Sequence, residues 1–414
     1  MQRFGCLKYL LSRASLSATN NIPNLAKNLE STINKKINVP LTPQLQRYIR
    51  AVLTGRAYKD LRTAAIKQNL EDEAVKKVQI ELQHIYLADP HMPSVRGMLS
   101  SDDWHRYPYL ALDLGLIRSG TFSLLVRGLS FLSLVSEEEK KAFPPPKDPI
   151  LYGDVNPFVL TVPQKIILAF SLLENDGDIL IKLYDRILHA FSGDFSDKVA
   201  GNFLPEIYRS VAKEARPRIR SANDRLRLQK LIDTADKIEA VQGSSTPGGK
   251  NPREHAITLR LELFVDVGLV SKPDPLDYSY CINGPKRIFF ERFVKSESVE
   301  SFLHNSFFQS VNDAFSINGK HQADGYAILS EIWKAYETLK SPLGYAPILE
   351  LSLLAGIYSL SKSRLYFEIS EAFSVLRNFQ KEKPNVVRFN VNRQGVLTVV
   401  KFNENIMKHI GGNN

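Results

Sequence analysis

The chain has 414 residues, of which 43% are hydrophobic and 10% aromatic. This composition excludes a disordered chain and supports about two to four domains with buried cores. The two distant cysteines, Cys6 and Cys281, and the shortness of the apolar runs exclude a disulfide framework and a membrane-spanning segment. The net charge of +10 favours a phosphate-rich partner.

The N-terminal segment is basic and contains no acidic residue before Glu30. Such a composition is typical of an organellar transit peptide. The near-helical spacing of Phe4, Leu7 and Leu11 is also typical of a short amphipathic helix that starts the first domain. We favour the helix and expect a cytoplasmic protein, because few cysteines are consistent with a reducing compartment. An organellar location is the alternative.

The segment "LDLGLIRSGTFSLLVRG", residues 112–128, joins the end of a predicted helix to an alternating apolar stretch. The alternation after Gly120 predicts a β-hairpin. Helices followed by a hairpin are the order of a winged-helix domain, in which the hairpin, or wing, contacts nucleic acid. Arg118 and Arg127 are the predicted contacts of this wing. An ordinary α+β corner is the alternative.

The predicted domain boundaries follow changes in composition. The segment "EEEKKAFPPPKDPILYGDVNP" contains a triple proline and predicts an extended linker over residues 137–157. An N-terminal helical and winged-helix-like domain is therefore predicted over 1–136. A helical middle region with a second winged-helix-like module follows over 158–318, and a C-terminal winged-helix-like domain over 319–414.

The middle region starts with a capping-box pattern at Thr161 and Gln164, which predicts a helix start. The dense apolar pattern that follows predicts two helices, joined by a turn at "ENDGD", residues 174–178. This acidic sequence lacks the ligand spacing of a calcium loop, so we expect no metal there.

The strongest charge feature is the segment 208–230, "YRSVAKEARPRIRSANDRLRLQK", with eight basic and two acidic residues. A helix broken at Pro217 would spread these cations over two faces and suit them to follow a phosphate backbone. A solvated helix surface is the alternative. The predicted backbone contacts are Arg209, Lys213, Arg216, Arg218, Arg220, Arg225, Arg227 and Lys230.

Residues 252–290 repeat the pattern of the first joint. A predicted helix ends in "VGLV", which matches "LGLI" in residues 112–128, and an alternating segment follows. The pair Asn283–Gly284 predicts a hairpin turn. Lys286 and Arg287 are the predicted contacts of this second wing.

The C-terminal region shows the same order. The segments "ILELSLLAGIYSLSK" and "YFEISEAFSVLRNFQ" predict two helices, and "NVVRFNVNRQGVLTVVKF" predicts a hairpin with its turn at Asn392–Gly395. Arg388 and Arg393 are the predicted wing contacts. The second helix, predicted over 366–380, takes the position of a recognition helix.

This predicted recognition helix contains Glu368 and Glu371 but only one arginine, Arg377. Such a helix is a poor phosphate binder, because carboxylates repel phosphate. The two acids favour an alternative function, a scaffold whose winged-helix folds pack against partner subunits and whose arginines meet acidic protein surfaces.

Catalytic patterns are weak. Glu138, Glu139 and Lys140, with Asp113 at a distance, supply the residue types of a metal-dependent nuclease. The same acids suit the first turn of a capped helix, and the eight histidines show no pair at metal-ligand spacing. We therefore expect no enzymatic activity, no cofactor and no metal, with a cryptic nuclease as a third alternative.

The "LGLI" and "VGLV" joints give the chain a resemblance to the tandem winged-helix accessory proteins of prokaryotic restriction and anti-phage defence systems. The resemblance implies that a separate nuclease, helicase or ATPase supplies the chemistry. We predict a mainly α protein with small β-hairpins and two or three winged-helix modules. It is expected to bind nucleic acid, DNA rather than RNA, as the accessory subunit of a larger complex.

Overall fold

A computed structural model describes residues 7, 11, 106–118, 123–135, 160–218, 221–240, 252–273, 278–391 and 397–403. Within these residues the chain is mainly helical, with short strands between the helices. The helices are α1 (Arg106–Asp113), α2 (Val126–Ser133), α3 (Val162–Ala190), α4 (Asp197–Ala200), α5 (Leu204–Ala215), α6 (Ala222–Ala240), α7 (Pro252–Asp266), α8 (Gly284–Lys295), α9 (Val299–Asn305), α10 (Phe307–Ala314), α11 (Gly325–Leu339), α12 (Ile348–Tyr358) and α13 (Ile369–Glu382).

Three small sheets accompany these helices. In the described part of the chain, β1 pairs with β2, β3 with β5, and the third sheet has the order β4-β7-β6. None of the described helices is both long and apolar enough to cross a membrane. The strands are β1 (Asp194–Ser196), β2 (Ser279–Cys281), β3 (Lys320–His321), β4 (Ala346–Pro347), β5 (Leu365–Tyr366), β6 (Val387–Val391) and β7 (Leu397–Phe402).

The described residues belong to two compact units. Unit 1 contains Leu172–Val299, and unit 2 contains the described parts of Trp104–Ser171 and Glu300–Asn414. The division falls inside α3 and before Glu300. The linker predicted over 137–157 lies outside the described residues and stays a prediction.

Helix α3 begins as the sequence predicts but does not break. The capping box is present, because the Thr161 amide donates to Gln164 Oε1 at 3.1 Å and the Gln164 amide donates to Thr161 Oγ1 at 3.2 Å. The turn predicted at residues 174–178 is wrong, since one helix runs from Val162 to Ala190. Gly177 serves close packing instead, because a Cβ atom there would lie 2.5 Å from a methyl carbon of Val299.

The core of unit 1 centres on three aromatic rings from three helices. Tyr184 of α3 stacks on Phe290 of α8 with ring centroids 3.8 Å apart, and Phe264 of α7 meets both rings edge-on. Beside them, β1 and β2 pair antiparallel, and Ser271 forms a further antiparallel bridge to Cys281. The rings and this small sheet hold α3, α7 and α8 together.

The two joints that match in sequence also match in structure. Gly115 after α1 and Gly268 after α7 both have positive φ, +66° and +83°. In both joints the residue after the glycine donates its amide to the carbonyl five residues earlier at 2.9 Å, which is the Schellman helix ending. A single antiparallel bridge follows each joint, Ile117 to Leu124 in the first and Ser271 to Cys281 in the second.

The two hairpins predicted after these joints are wrong, because the chain forms a helix where each second strand was predicted. The alternating stretch after Gly120 becomes α2 at Val126. The pair Asn283–Gly284 is the start of α8 and not a hairpin turn, with Asn283 as the N-cap residue. The first segment forms a helix that packs on α11 and α12, and the second forms a helix whose Phe290 packs on Tyr184 and Phe264. Arg127, Lys286 and Arg287 therefore lie on helices.

The C-terminal part of unit 2 follows the sequence closely. The two predicted helices correspond to α12, extended by a π-helical turn over Ser359–Ser363, and to α13. The predicted hairpin is confirmed as β6 and β7, although its turn lies outside the described residues. β7 pairs with β4 as well as with β6, and the helices α11, α12 and α13 pack against one another.

We expect Gly177→Ala to destabilise the protein. Alanine normally favours a helix over glycine by about 1 kcal/mol, but here its Cβ atom would meet the stiff, branched side chain of Val299. Urea denaturation followed by circular dichroism measures the change. Asp178→Ala, on an exposed position of the same helix, is the control.

The double variant Gly177→Ala/Val299→Ala should recover part of the lost stability, because it removes the two methyl groups that the new Cβ atom meets. A Gly177→Ala protein more stable than the wild type would contradict the packing role of this glycine.

Candidate nucleic-acid interface

The basic segment 208–230 forms a helical hairpin in unit 1. α5 ends at Ala215, a 3-10 turn over Arg216–Arg218 contains Pro217, and α6 begins at Ala222. The break predicted at Pro217 is therefore confirmed. At the start of α6, Ser221 Oγ accepts a hydrogen bond from the Asp224 amide at 3.0 Å. The two helices pack against each other along the hairpin.

Arg209 stabilises this hairpin from within. Its guanidinium donates to Asp236 Oδ1 at 2.7 Å and to Glu239 at 2.5 and 2.8 Å, so it joins α5 to α6. These hydrogen bonds lower the pKa of Glu239. The phosphate contact predicted for Arg209 is in conflict with this geometry, because both acids already occupy its donors.

The remaining described cations lie toward the turn of the hairpin. All five are exposed, and four of them make no ion pair with a described residue, whereas Arg227 is 3.9 Å from Asp224 Oδ1. We call this set the cationic hairpin end: Lys213, Arg216, Arg225, Arg227 and Lys230. Arg218 lies in the 3-10 turn with its side chain outside the described part, and Arg220 lies outside it entirely.

Arg127 is not a surface wing residue. It lies in α2 with only 6% of its surface exposed. Its guanidinium donates to Glu350 of α12 at 3.0 Å and lies 5.5 Å from the centroid of the Phe170 ring. A buried cation in this position ties α2 to α12 and is not available to a phosphate.

The second predicted wing is also structural. Arg287 donates to the carbonyl oxygens of Leu188 and Phe191 at 3.0 and 3.1 Å, and so caps the C-terminal end of α3. Lys286 donates to Ser271 Oγ at 3.0 Å. Of the residues predicted for the first two wings, Arg118 is the one that the structure places in an exposed position.

Helix α13 presents a polar and basic stripe on one side. Ser374, Arg377, Asn378 and Lys381 are all exposed and are spaced i, i+3, i+4 and i+7, which places them on one helix face. We call these four residues the outward face of α13. Arg388 on β6 is exposed as well, whereas Arg393 lies outside the described residues.

Three acids accompany this helix: Glu368 precedes it as the N-cap residue, Glu371 lies in its first turn, and Glu382 ends it in an exposed position. Glu368 is only 7% exposed, and its carboxylate accepts the amides of Phe308 at 3.0 Å and Gln309 at 2.8 Å, at the start of α10. Glu371 accepts the Glu368 amide at 2.7 Å and lies 2.9 Å from His321 Nε2. Glu368 and Glu371 therefore cap helices, whereas Glu382 is exposed beside Lys381 at the end of the outward face.

Burial sets the acidity of Glu368. Removal of water from its carboxylate raises its pKa from the ordinary 4.5 to about 7, although the amides of Gln309 and Phe308 oppose this rise. The nearby charge of Glu371 raises the pKa further and that of His321 lowers it. The carboxyl group therefore changes its charge near neutral pH.

Sequence reasoning missed Asn378 and Lys381. Both residues appear in the printed sequence, but their shared face becomes visible only when the helix phase is known. The phase is set by Ala372, Leu376 and Phe379, which are buried on the opposite side of α13.

The structure gives no support to metal chemistry in the described part of the chain. Among these residues, no group of three or more His, Cys, Asp or Glu side chains is placed to hold a metal ion. Asp113 ends α1 and is exposed, and Glu138–Lys140 lie outside the described residues. The nuclease alternative therefore stays a prediction.

We expect the stability of unit 2 to fall as pH rises from about 5 to about 8. The folded-state pKa of Glu368, about 7, exceeds its ordinary value of 4.5, so folding favours the protonated form and this stability is lost as the carboxyl ionises. The full shift corresponds to about 3 kcal/mol. Urea denaturation of a Trp104→Phe protein, followed by the fluorescence of Trp333 in α11, reports on this unit.

Glu368→Gln is the matched variant, because it cannot ionise. It should flatten the dependence of stability on pH, and the difference between the two proteins isolates the contribution of the Glu368 carboxyl group. Equal slopes in the two proteins would show that Glu368 does not titrate in this range.

Comparison of the chain with models of known protein families, with curated proteins and with solved structures gives no match. A function is therefore proposed from the geometry alone, and the two exposed basic surfaces carry that proposal.

Proposed function

We propose that the protein binds duplex DNA without catalysing a reaction, through the cationic hairpin end in unit 1 and the outward face of α13 in unit 2. The observation that carries the proposal is the arrangement of charge on α13. Glu368 and Glu371 are bound in helix caps, and the exposed side of the helix carries Arg377 and Lys381 beside two hydrogen-bonding residues, with one exposed acid, Glu382, at its end. Such a face suits phosphates and base edges.

The order of elements in unit 2 supports a winged-helix module at the C-terminus. The chain passes through α11, β4, α12, the short strand β5, α13, β6 and β7, and the sheet has the order β4-β7-β6. In the winged-helix fold a helix in the position of α13 enters the major groove, and a hairpin in the position of β6 and β7 forms the wing. Arg388 is exposed on this hairpin.

A second module of the same order is proposed in unit 1. Here α3 leads to β1 and α4, and after the α5-α6 hairpin the chain continues through α7, Ser271 and β2. β2 pairs with β1 and also bridges to Ser271, which gives the same strand order as in the C-terminal module. The α5-α6 hairpin then stands as an insertion between the helices of this module.

The helix of unit 1 that corresponds to α13 uses its charges internally. Arg260 of α7 binds Asp176 and donates to the Tyr208 hydroxyl at 2.9 Å, while Glu262 accepts from Lys272 at 2.7 Å. In the part of α7 whose side chains are described, the one cation, Arg260, is therefore not left for a phosphate. We assign the DNA contact of unit 1 to the cationic hairpin end instead.

A preference for DNA over RNA follows from groove shape. The major groove of B-form DNA admits an α-helix, whereas the major groove of A-form RNA is deep and narrow. The resemblance to accessory proteins of restriction and anti-phage systems leads us to propose, in addition, that a separate enzyme acts on the bound DNA.

The test is binding of the purified chain to labelled duplex DNA, single-stranded DNA and duplex RNA over a salt series. We expect duplex DNA to bind most tightly, with an affinity that falls steeply with salt. Removing the hairpin cations with Arg216→Ala/Arg225→Ala/Arg227→Ala/Lys230→Ala, or those of the outward face with Arg377→Ala/Lys381→Ala, should weaken binding at least about tenfold and flatten the salt slope.

Lys295→Ala/Lys334→Ala is the control, since it removes two positive charges from exposed positions of α8 and α11. Its affinity should stay close to that of the wild type. The proposal fails if the wild type does not bind duplex DNA at about 50 mM salt, where electrostatic binding is strong.

A further inference from the structure

Unit 2 contains a short region of strained backbone outside the surfaces described above. Ser316, Asn318 and Arg364 have φ angles of +51°, +59° and +51°, and they are the non-glycine residues of the described chain with positive φ. Such angles are costly for a residue with a side chain and persist only where the surroundings impose them. Their concentration in two neighbouring segments calls for a physical cause.

The two segments are joined by β3 and β5, which pair in parallel. The Lys320 amide donates to the Arg364 carbonyl at 2.9 Å. On the other side of this contact, the Asn312 side chain accepts from the Gly319 amide at 2.7 Å and donates to the Gly319 carbonyl at 3.3 Å. The backbone of residues 316–320 is therefore fixed from both sides.

Close packing makes this arrangement specific. A Cβ atom at Gly319 would lie 2.9 Å from a methyl carbon of Leu360 and 3.1 Å from the Arg364 carbonyl oxygen. Arg364 itself ends the π-helical turn Ser359–Ser363, a rare conformation that often occurs at functional sites. We call residues 316–320 with Arg364 the strained turn.

Three cations belong to the strained turn or lie beside it in the chain. Lys320, Lys362 and Arg364 are all exposed, and none of them makes an ion pair with a described residue. The Lys362 ammonium lies 4.7 Å from the centroid of the Tyr358 ring, which limits its freedom. A glycine at position 364 would adopt the same backbone at lower cost, so we infer that the arginine is retained for its side chain.

Two acids lie close to these segments. Asp313 accepts a hydrogen bond from the Asn312 amide group at 3.3 Å, and Glu371 contacts His321 at 2.9 Å. Both carboxylates keep their negative charge, but these contacts direct them to neighbours other than the three cations. The cations outnumber the two acids and lie on a rigid backbone.

We propose that Lys320, Lys362 and Arg364 form a binding site for the phosphates of a nucleic-acid backbone. The site rests on the proposed function and adds a contact to it, at the turn that leads directly from α12 into α13. A guanidinium can bind a phosphate through two parallel hydrogen bonds, and two ammonium groups add donors of adaptable direction. Phosphate contacts of this kind fix the register of a protein on the duplex.

The key variant is Arg364→Gly, because it separates stability from binding. It should raise the urea midpoint of unit 2, since it relieves the strained φ angle, and it should weaken duplex DNA binding and reduce the salt slope by about 1. A merely structural arginine would give a less stable protein with unchanged affinity. A fall in the urea midpoint would overturn the argument from strain.

Three further variants complete the test. Asn318→Gly relieves strain in the same turn without a change of charge, so it should raise the midpoint and leave the affinity unchanged. Arg364→Lys keeps the charge but cannot form the two parallel hydrogen bonds, so it should keep the salt slope of the wild type and bind with an affinity between those of the wild type and Arg364→Gly. Lys320→Ala/Lys362→Ala should weaken binding about tenfold or more and lower the salt slope by about 2.

Failure of this site is distinguishable from failure of the proposed function. If the wild type binds no duplex DNA, the proposed function fails. If it binds and the hairpin and α13 variants weaken that binding, but Arg364→Gly and Lys320→Ala/Lys362→Ala bind as the wild type, the phosphate site alone is overturned.

Discussion

The carboxylate of Glu368 is the contact on which the arrangement of unit 2 depends. It binds the first amides of α10 while its own residue starts α13, so one side chain fixes the beginnings of two helices. The Phe308 ring continues this contact toward α12, where Gly356 leaves room that a Cβ atom would occupy at 2.3 Å from the ring. With the start of α13 fixed, the helix face opposite Ala372, Leu376 and Phe379 is exposed.

This arrangement has an energetic cost. Burial raises the pKa of Glu368 to about 7, so the ionised form of this capping carboxylate is disfavoured at neutral pH. An exposed serine or aspartate would cap the helix without this cost. Placing the acid inside, however, removes a negative charge from the surface that Arg377 and Lys381 share. The same side chain therefore caps a helix and keeps its own negative charge away from Arg377 and Lys381.

Local signals in the sequence were sufficient where local contacts determine the structure. The capping box at Thr161 and the glycine endings at Gly115 and Gly268 depend on hydrogen bonds within a few residues, and all three were predictable. The two C-terminal helices and their hairpin were predictable from periodicity. These elements contain the outward face of α13, although the face itself required the helix phase.

Long-range contacts decide the places where prediction failed. The stretch after Gly120 alternates like a strand, but Gly128 allows α2 to approach the Leu116 carbonyl, where a Cβ atom would lie at 2.2 Å. Gly177 looks like a turn glycine because its contact with Val299 is 122 residues away in the chain. The charge count over 208–230 likewise omits Asp236 and Glu239, the partners of Arg209, because they lie beyond the segment. A net charge therefore overstates a basic surface until each cation's partners are known. In the described part of the chain, the sets of exposed cations that remain are the cationic hairpin end, the outward face of α13 and the cations of the strained turn.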